Sequence, residues 1–273
     1  MNIARYIRLL KTVEDSGSML ACTSCGAETL SVGGIGVCSN CESLVYATRK
    51  ALTTTNPDLL NSLDVVNRSA SNGDFDLAIS AYDNIGREKP SLLYAEALLC
   101  LRYSNREVSA INYGRKGFME ENAAQRSKAS MLASKSKRLI TKAMSLATEE
   151  MNSGGGSLET VYTLFLLQAK LGKLKSAGST LLVLESMGNT YLSRYASVIF
   201  NTSLKRYDEA LKGVDSMMGA NYLPLNAFYY ASFALFKKGM LDESAALLGR
   251  LQHLMSSANV ESLLKGIKML QDA

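Results

Sequence analysis

Tryptophan is absent from this chain, and 273 residues include only three prolines and one histidine. Proline fixes φ and lacks an amide proton, so its scarcity leaves long helices unbroken. Plentiful Ala, Leu, Ser and Met favour helix over sheet. No run of about 18 apolar residues occurs, which excludes a membrane-spanning helix; the most apolar window, Tyr222 to Phe236, is too short and carries polar groups. Arg5, Arg8 and Lys11 interrupt any apolar stretch a secretory signal would need. Walker loops, dinucleotide fingerprints and nucleophile elbows are also missing, so an enzymatic reading finds little support. Gly33-Gly34-Ile35-Gly36 is glycine-rich but opens no helix, and a turn explains it. His253, beside Leu251 and Leu254, reads as an ordinary half-buried residue, and Cys100, in the apolar run Leu98 to Leu101, reads as a small core residue. A formal charge of +5 permits an acidic partner or a nucleic acid and demands neither.

What is present begins with cysteine. Four of five cysteines fall in tight pairs, Cys22-Thr-Ser-Cys25 and Cys38-Ser-Asn-Cys41, with twelve residues between the pairs. Each Cys-x-x-Cys turn can aim two thiolates at one ion, and two turns complete a closed tetrahedron. Such a set leaves no coordination position for water, so its role is structural: it supplies folding energy that so small a module otherwise lacks. Gly26, Gly33, Gly34 and Gly36 provide turn-competent backbone, and Leu30 to Val37 is the expected hairpin between the pairs. Residues 19–46 resemble a zinc ribbon, which implies a zinc ion, or a tetrahedral substitute such as iron, on Cys22, Cys25, Cys38 and Cys41. Reduced paired cysteines point to a cytoplasmic location. Between Cys22 and Tyr46 the chain has Glu28 and Glu42 but no Lys or Arg, which counts against this segment gripping phosphates. Upstream, Ile3, Ile7, Leu10 and Val13 share one face of an expected amphipathic helix that docks on the next module.

Beyond Thr48 to Pro57, with Asn56 as the expected helix cap, a two-helix unit recurs. Its echoes are Gly73-Asp74-Phe75 with Ala78, Gly172-Lys173-Leu174 with Ala177, Lys205-Arg206-Tyr207 with Ala210, and Gly239-Met240-Leu241 with Ser244. Small residues at a fixed period mark close helix crossings, where only a short side chain lets two backbones approach. Adding Ala110 and Ala143 places small residues 32, 33, 34, 33 and 34 positions apart, and six helix pairs are expected. The third, around 122–150, lacks a glycine turn and reads either as a hairpin or as one long helix. Gly154-Gly155-Gly156 reads as a flexible break between two halves, and Val260 to Gln271 as a terminal capping helix. Gly73, Asp74, Phe75, Ala78, Tyr82 and Pro90 resemble the second helix of a tetratricopeptide repeat, although tryptophan is lacking and only Pro90 closes a unit. Residues 228–251 also resemble pentatricopeptide repeats, but Ala196 and Tyr230 stand where that family's base-reading polar residues would be.

The expected fold is therefore mainly α: an α-solenoid of tetratricopeptide-like hairpins over 57–273, preceded over 1–50 by a helix and a four-cysteine zinc ribbon. The function expected is that of a non-enzymatic adaptor or scaffold. In the last three units Tyr162, Tyr195 and Tyr229 hold one matched first-helix position, and Lys170 and Lys237 another. These five residues either line a groove that takes a protein or peptide, or the tyrosines pack between neighbouring first helices. Arg126, Lys128, Lys135, Lys137, Arg138 and Lys142 form a second surface, a solvated face or a basic patch for nucleic acid. Repeat ends and apolar helices also allow a second copy to pair.

Overall fold

The computed structural model describes residues 3–16, 18–31, 35–46, 57–86, 89–111, 119–188, 190–217, 224–255 and 258–271. Among these are twelve helices and four strands. The chain opens with α1 (Ile3–Ser16), β1 (Ser18–Ala21), β2 (Glu28–Ser31), β3 (Ile35–Val37) and β4 (Leu44–Tyr46). There follow α2 (Pro57–Asn72), α3 (Phe75–Ile85), α4 (Pro90–Ala110), α5 (Met119–Asn152), α6 (Leu158–Lys170) and α7 (Leu174–Ser186). The last five are α8 (Thr190–Ser203), α9 (Tyr207–Met217), α10 (Leu225–Lys237), α11 (Leu241–Leu254) and α12 (Ala258–Gln271). Asn56, the expected cap, lies outside the described residues, as do Gly33 and Gly34. None of the described helices is long and apolar enough to cross a membrane.

One backbone device closes four of the helix pairs. After α2, α6, α8 and α10 the chain reverses through a residue in the left-handed region: Gly73 at φ 82°, Gly172 at 69°, Lys205 at 60° and Gly239 at 80°. Each time, that residue's amide bonds three residues back and the next amide bonds five back, as in Gly73 N to Ala70 O (3.2 Å) and Asp74 N to Ser69 O (2.8 Å). These paired bonds satisfy carbonyls that a helix end leaves open. The small residue five positions beyond the start of each turn then sits at the crossing: Ala78, Ala177 and Ser244 are fully buried and Ala210 is 1% exposed. Ser244 Oγ donates to the Ser232 carbonyl of the paired helix (2.8 Å), and Thr180 Oγ1 to Gln168 Oε1 (2.7 Å) across α6 and α7.

The register differs from expectation in the middle of the chain. Ala110 is exposed at the end of α4, and Ala143 lies buried in mid-helix within α5. Instead of two short pairs there is one long one, α4 against α5, so among the described residues five hairpins stand where six were expected. The reason is local: residues 119–152 contain neither glycine nor proline, and nothing interrupts the helical ladder. Two buried serines pin this pair, Ser104 Oγ donating to the Ala129 carbonyl and Ser136 Oγ to the Ala97 carbonyl, both at 2.8 Å. The glycine segment 154–156 is a turn, with Gly154 left-handed at φ 75°, and Ser157 Oγ accepts the Thr160 amide at the start of α6 (3.1 Å).

Two compact units emerge. One comprises 1–22, 28–53 and 164–273; the other comprises 23–27 and 54–163. In the first, α1 packs on α11 rather than merely on its sequence neighbour. Its buried stripe is Tyr6 and Leu10, both at 0% exposure, whereas Ile7 is exposed at 36%. The expected Ile3/Ile7 face is rotated because Tyr6 has partners on both counts: its ring meets Phe228 edge-on, with centroids 5.9 Å apart, and its hydroxyl donates to Asp215 Oδ1 (2.9 Å). Burial and the Asp215 carboxylate hold the Tyr6 hydroxyl well above the usual phenol range. At the other end, α12 caps α11, burying Val260, Leu264 and Ile267.

Among the four helix-pair turns just described, Lys205 alone puts a Cβ in the left-handed region, which costs about 1 kcal/mol or more. Lys205→Gly removes that strain but adds freedom to the unfolded chain. A net gain on the order of 0.5 kcal/mol is expected, read as a raised urea midpoint; an unchanged or lowered midpoint refutes it.

Candidate metal centre and the helix wall beside it

Each Cys-x-x-Cys pair sits at the tip of its own antiparallel hairpin. β1 pairs with β2 in the register Ala21↔Glu28, and β3 with β4 in the register Val37↔Leu44. The expected single hairpin over Leu30 to Val37 is thus replaced by two, one per knuckle, which gives each pair of thiols its own tight turn. Within the second knuckle the Glu42 amide donates to the Cys38 carbonyl (2.9 Å) and the Cys38 amide to the Ser43 carbonyl (2.8 Å). A left-handed residue follows the second cysteine of each pair, Gly26 at φ 72° and Glu42 at φ 60°. Gly26 also has no room for a side chain: a Cβ would fall 2.1 Å from the Leu63 carbonyl oxygen of α2. Glu42 occupies the matching place with a full side chain.

The four Sγ atoms of Cys22, Cys25, Cys38 and Cys41 lie within 4.8 Å of one another, and all four residues are buried. Cys22 Sγ and Cys41 Sγ are 3.7 Å apart. A tetrahedron with metal–sulfur bonds of about 2.3 Å has edges of about 3.8 Å, so the residues present fit such an ion. The Asn40 amide donates to Cys38 Sγ (3.4 Å), and Ser43 Oγ stands 3.2 Å from Cys41 Sγ, where it can donate to a thiolate. Hydrogen bonds of this kind disperse thiolate charge and orient the ligands. Cys100 stands apart on α4, its thiol pushed up to about 12 by burial, and is an inert core group.

Both knuckles are held by helix side chains through their carbonyls. Tyr82 of α3 donates to the Ser24 carbonyl (2.8 Å). Asn226 of α10, only 4% exposed, donates to the Cys38 carbonyl (3.3 Å). Glu42 is gripped as well: Tyr230 OH of α10 donates to its Oε1 and Lys170 Nζ of α6 lies against its Oε2, both at 2.9 Å. Two helices of different hairpins therefore close on one carboxylate.

Of the residues expected to line a groove, Lys170 is at this clamp. Tyr195 and Tyr229 flank it through Tyr230, with ring centroids at 6.1 and 5.6 Å. Burial, followed by the neighbouring Glu42 charge, raises the Tyr229 hydroxyl above its ordinary value. The other matched positions are placed differently. Tyr162 and Tyr195 are fully buried, which accords with the tyrosines packing in the core rather than lining a groove. Lys237 lies over the Phe233 and Phe236 rings of its own helix, at 5.4 and 5.2 Å from their centroids. Sequence reasoning missed Asn226, Tyr230 and Glu42 as clamp members. The available signal was charge: an acidic ribbon without cations beside a matched lysine.

The basic patch on α5 is also reduced. Lys128 pairs with Asp76 (2.8 Å) and lies 4.7 Å over the Tyr103 ring. Lys135 bridges Asp83 of α3 and the buried Glu96 of α4, each at 2.9 Å. Burial holds the Glu96 carboxyl above the usual range, and Lys135 offsets this only in part. Arg126, Lys137, Arg138 and Lys142 remain at least partly exposed.

Cobalt(II) titration of the reduced chain should saturate at one ion, with intense sulfur-to-metal absorption and tetrahedral d–d bands. Cys100→Ala should leave the end point unchanged, and an end point that needs Cys100 contradicts the four-sulfur set. Lys135→Met strands the Glu96 carboxyl and should cost about 2–3 kcal/mol of stability. Because the folded-state pKa of Glu96 is raised, folding favours its protonated form, and the loss should be greater at pH 8 than at pH 5. Adding Glu96→Gln should restore most of it; equal losses at both pH values would contradict a structural pair.

No family model, curated protein or solved structure matches this chain, so the residues of the site alone speak for its function.

Proposed function

We propose that this protein is a non-enzymatic adaptor: a tetratricopeptide-like repeat domain that holds a protein or peptide on the wall of its first helices. The metal module is structural, with zinc on Cys22, Cys25, Cys38 and Cys41, and works in the reducing cytoplasm, where paired thiols stay available as ligands. Four sulfur ligands suit zinc and leave no open position for chemistry.

The observation that carries the reading is the clamp on the second knuckle. Asn226 takes a main-chain carbonyl while Lys170 and Tyr230 take the two oxygens of one carboxylate. Main-chain and charge recognition together are what gripping a polypeptide segment requires, and charged hydrogen bonds are the stronger kind. Tyr229 adds aromatic area with few rotors at the edge of the same wall. Repetition of the helix-pair turn and its buried small residue supports the tetratricopeptide likeness.

The alternative is a nucleic-acid-associated factor that uses Arg126, Lys137, Arg138 and Lys142, the exposed cations of the α5 patch. Affinity capture on the full chain, metal-loaded and metal-stripped, separates the two. Protein should be retained by at least one form, survive nuclease treatment, and be lost with Lys170→Glu. Retention that vanishes with nuclease and falls steeply between about 50 and 200 mM salt supports the nucleic-acid reading instead. A chain that retains no protein in either form sinks the adaptor.

A further inference from the structure

We propose that the second knuckle is a resident plug on the adaptor wall, held there by the metal, and that an acidic turn of a partner protein competes with it for Lys170 and Tyr230. The inference rests on the adaptor reading and adds to it both a partner chemistry and a control.

Four observations converge on it. First, the wall's charge matches the plug. From Cys22 to Tyr46 the chain carries Glu28 and Glu42 and no Lys or Arg, and Lys170 meets Glu42 at 2.9 Å. Second, the attachment is polar and directional: Tyr230 donates to the same carboxylate and Asn226 to the Cys38 carbonyl. A foreign segment with a carboxylate next to a free carbonyl presents the same two acceptors. Third, the Lys170 side chain is 40% exposed while Glu42 is 12% exposed, so a competing carboxylate can approach the cation from solvent. Fourth, Glu42 is left-handed at φ 60°, at the place where the first knuckle has Gly26. Glycine adopts that conformation without cost and glutamate does not, so the side chain is kept there against a backbone preference, as at sites of function.

The metal enters through connectivity. Glu42 directly follows Cys41, and its amide bonds the carbonyl of Cys38. Ligation of Cys38 and Cys41 to one ion holds this turn in the left-handed shape that aims the carboxylate at Lys170. Without the ion, strain and chain entropy both favour release of the turn. A bound plug raises the effective local concentration of the competing carboxylate, so a partner binds weakly to the loaded chain and more tightly to the stripped one.

The test uses full-length protein and one probe, a fluorescein-labelled peptide of residues 37–46 with both cysteines replaced by serine. Fluorescence anisotropy should show binding to the chelated chain and to the Cys38→Ser/Cys41→Ser variant at least about tenfold tighter than to the zinc-loaded chain. A peptide with Gln in place of Glu42 should bind the stripped chain about tenfold more weakly, and Lys170→Ala in that chain should do the same. Equal binding to loaded and stripped chains overturns the proposal, as does no binding to a stripped chain whose circular dichroism remains helical. Should stripping unfold the repeats, the Glu42→Arg chain gives the reading with all four cysteines in place. It should keep its metal and bind the peptide, and failure to bind overturns the proposal. Peptide binding without any protein retained in capture sinks the adaptor and leaves the plug. Protein retained equally by both forms, with no peptide binding, does the reverse.

Discussion

Four sulfurs crowded into one buried site set the terms for the N-terminal part of this chain. The two hairpins that present them have strands of only three or four residues and close few apolar side chains, among them Val37, Leu44 and Val45. Modules this small seldom fold on burial alone, and metal ligation supplies free energy on the order of 10 kcal/mol. Both knuckles share one backbone shape. Just after the second cysteine of each Cys-x-x-Cys the backbone is left-handed, and Gly26 and Glu42 fill that place. The chemistry of the second knuckle then depends on which residue accepted the strain, for Glu42 projects a carboxylate where glycine would project nothing.

Past the knuckles, a second local rule builds the repeats. A left-handed residue ends the first helix, two amides cap its carbonyls, and a small residue lets the next helix lie close. Where these elements occur, at Gly73/Ala78, Gly172/Ala177, Lys205/Ala210 and Gly239/Ser244, a short hairpin results. Where the breaker is missing, the helix runs on, and α5 reaches 34 residues. Small side chains thus permit close crossings, but a turn is needed to create one. Ala143 is buried in α5 for the same packing reason as Ala177, yet no hairpin begins there.

The charged residues divide by what lies across from them rather than by their own pattern. Lys128 and Lys135 look like neighbours of Lys137 and Arg138 along the sequence, but Asp76, Asp83 and Glu96 of earlier helices face them. Lys170 and Lys237 hold matched repeat positions; one meets a carboxylate and the other lies on two phenylalanine rings. Desolvation decides which pairs matter to folding: Glu96 is buried deeply enough that burial outweighs its cation, whereas Asp76 is exposed and its carboxyl is lowered mainly by Lys128.

Features governed by short-range rules were readable in the sequence. The cluster of four thiols follows from two Cys-x-x-Cys pairs, the four helix-pair turns from glycine and its one lysine substitute, and the capping helix from an apolar period of 3.6. Tertiary packing alone decided which face of α1 is buried, because Tyr6 outcompetes Ile3 and Ile7 only when Phe228 and Asp215 are in place. It also turned Tyr162 and Tyr195 into core residues and brought Asn226 and Tyr230 to a knuckle 188 residues away in the chain. Periodicity reports that a side chain is apolar or matched between repeats. What stands opposite it depends on contacts between segments far apart in sequence, and those are set only when the helices stack.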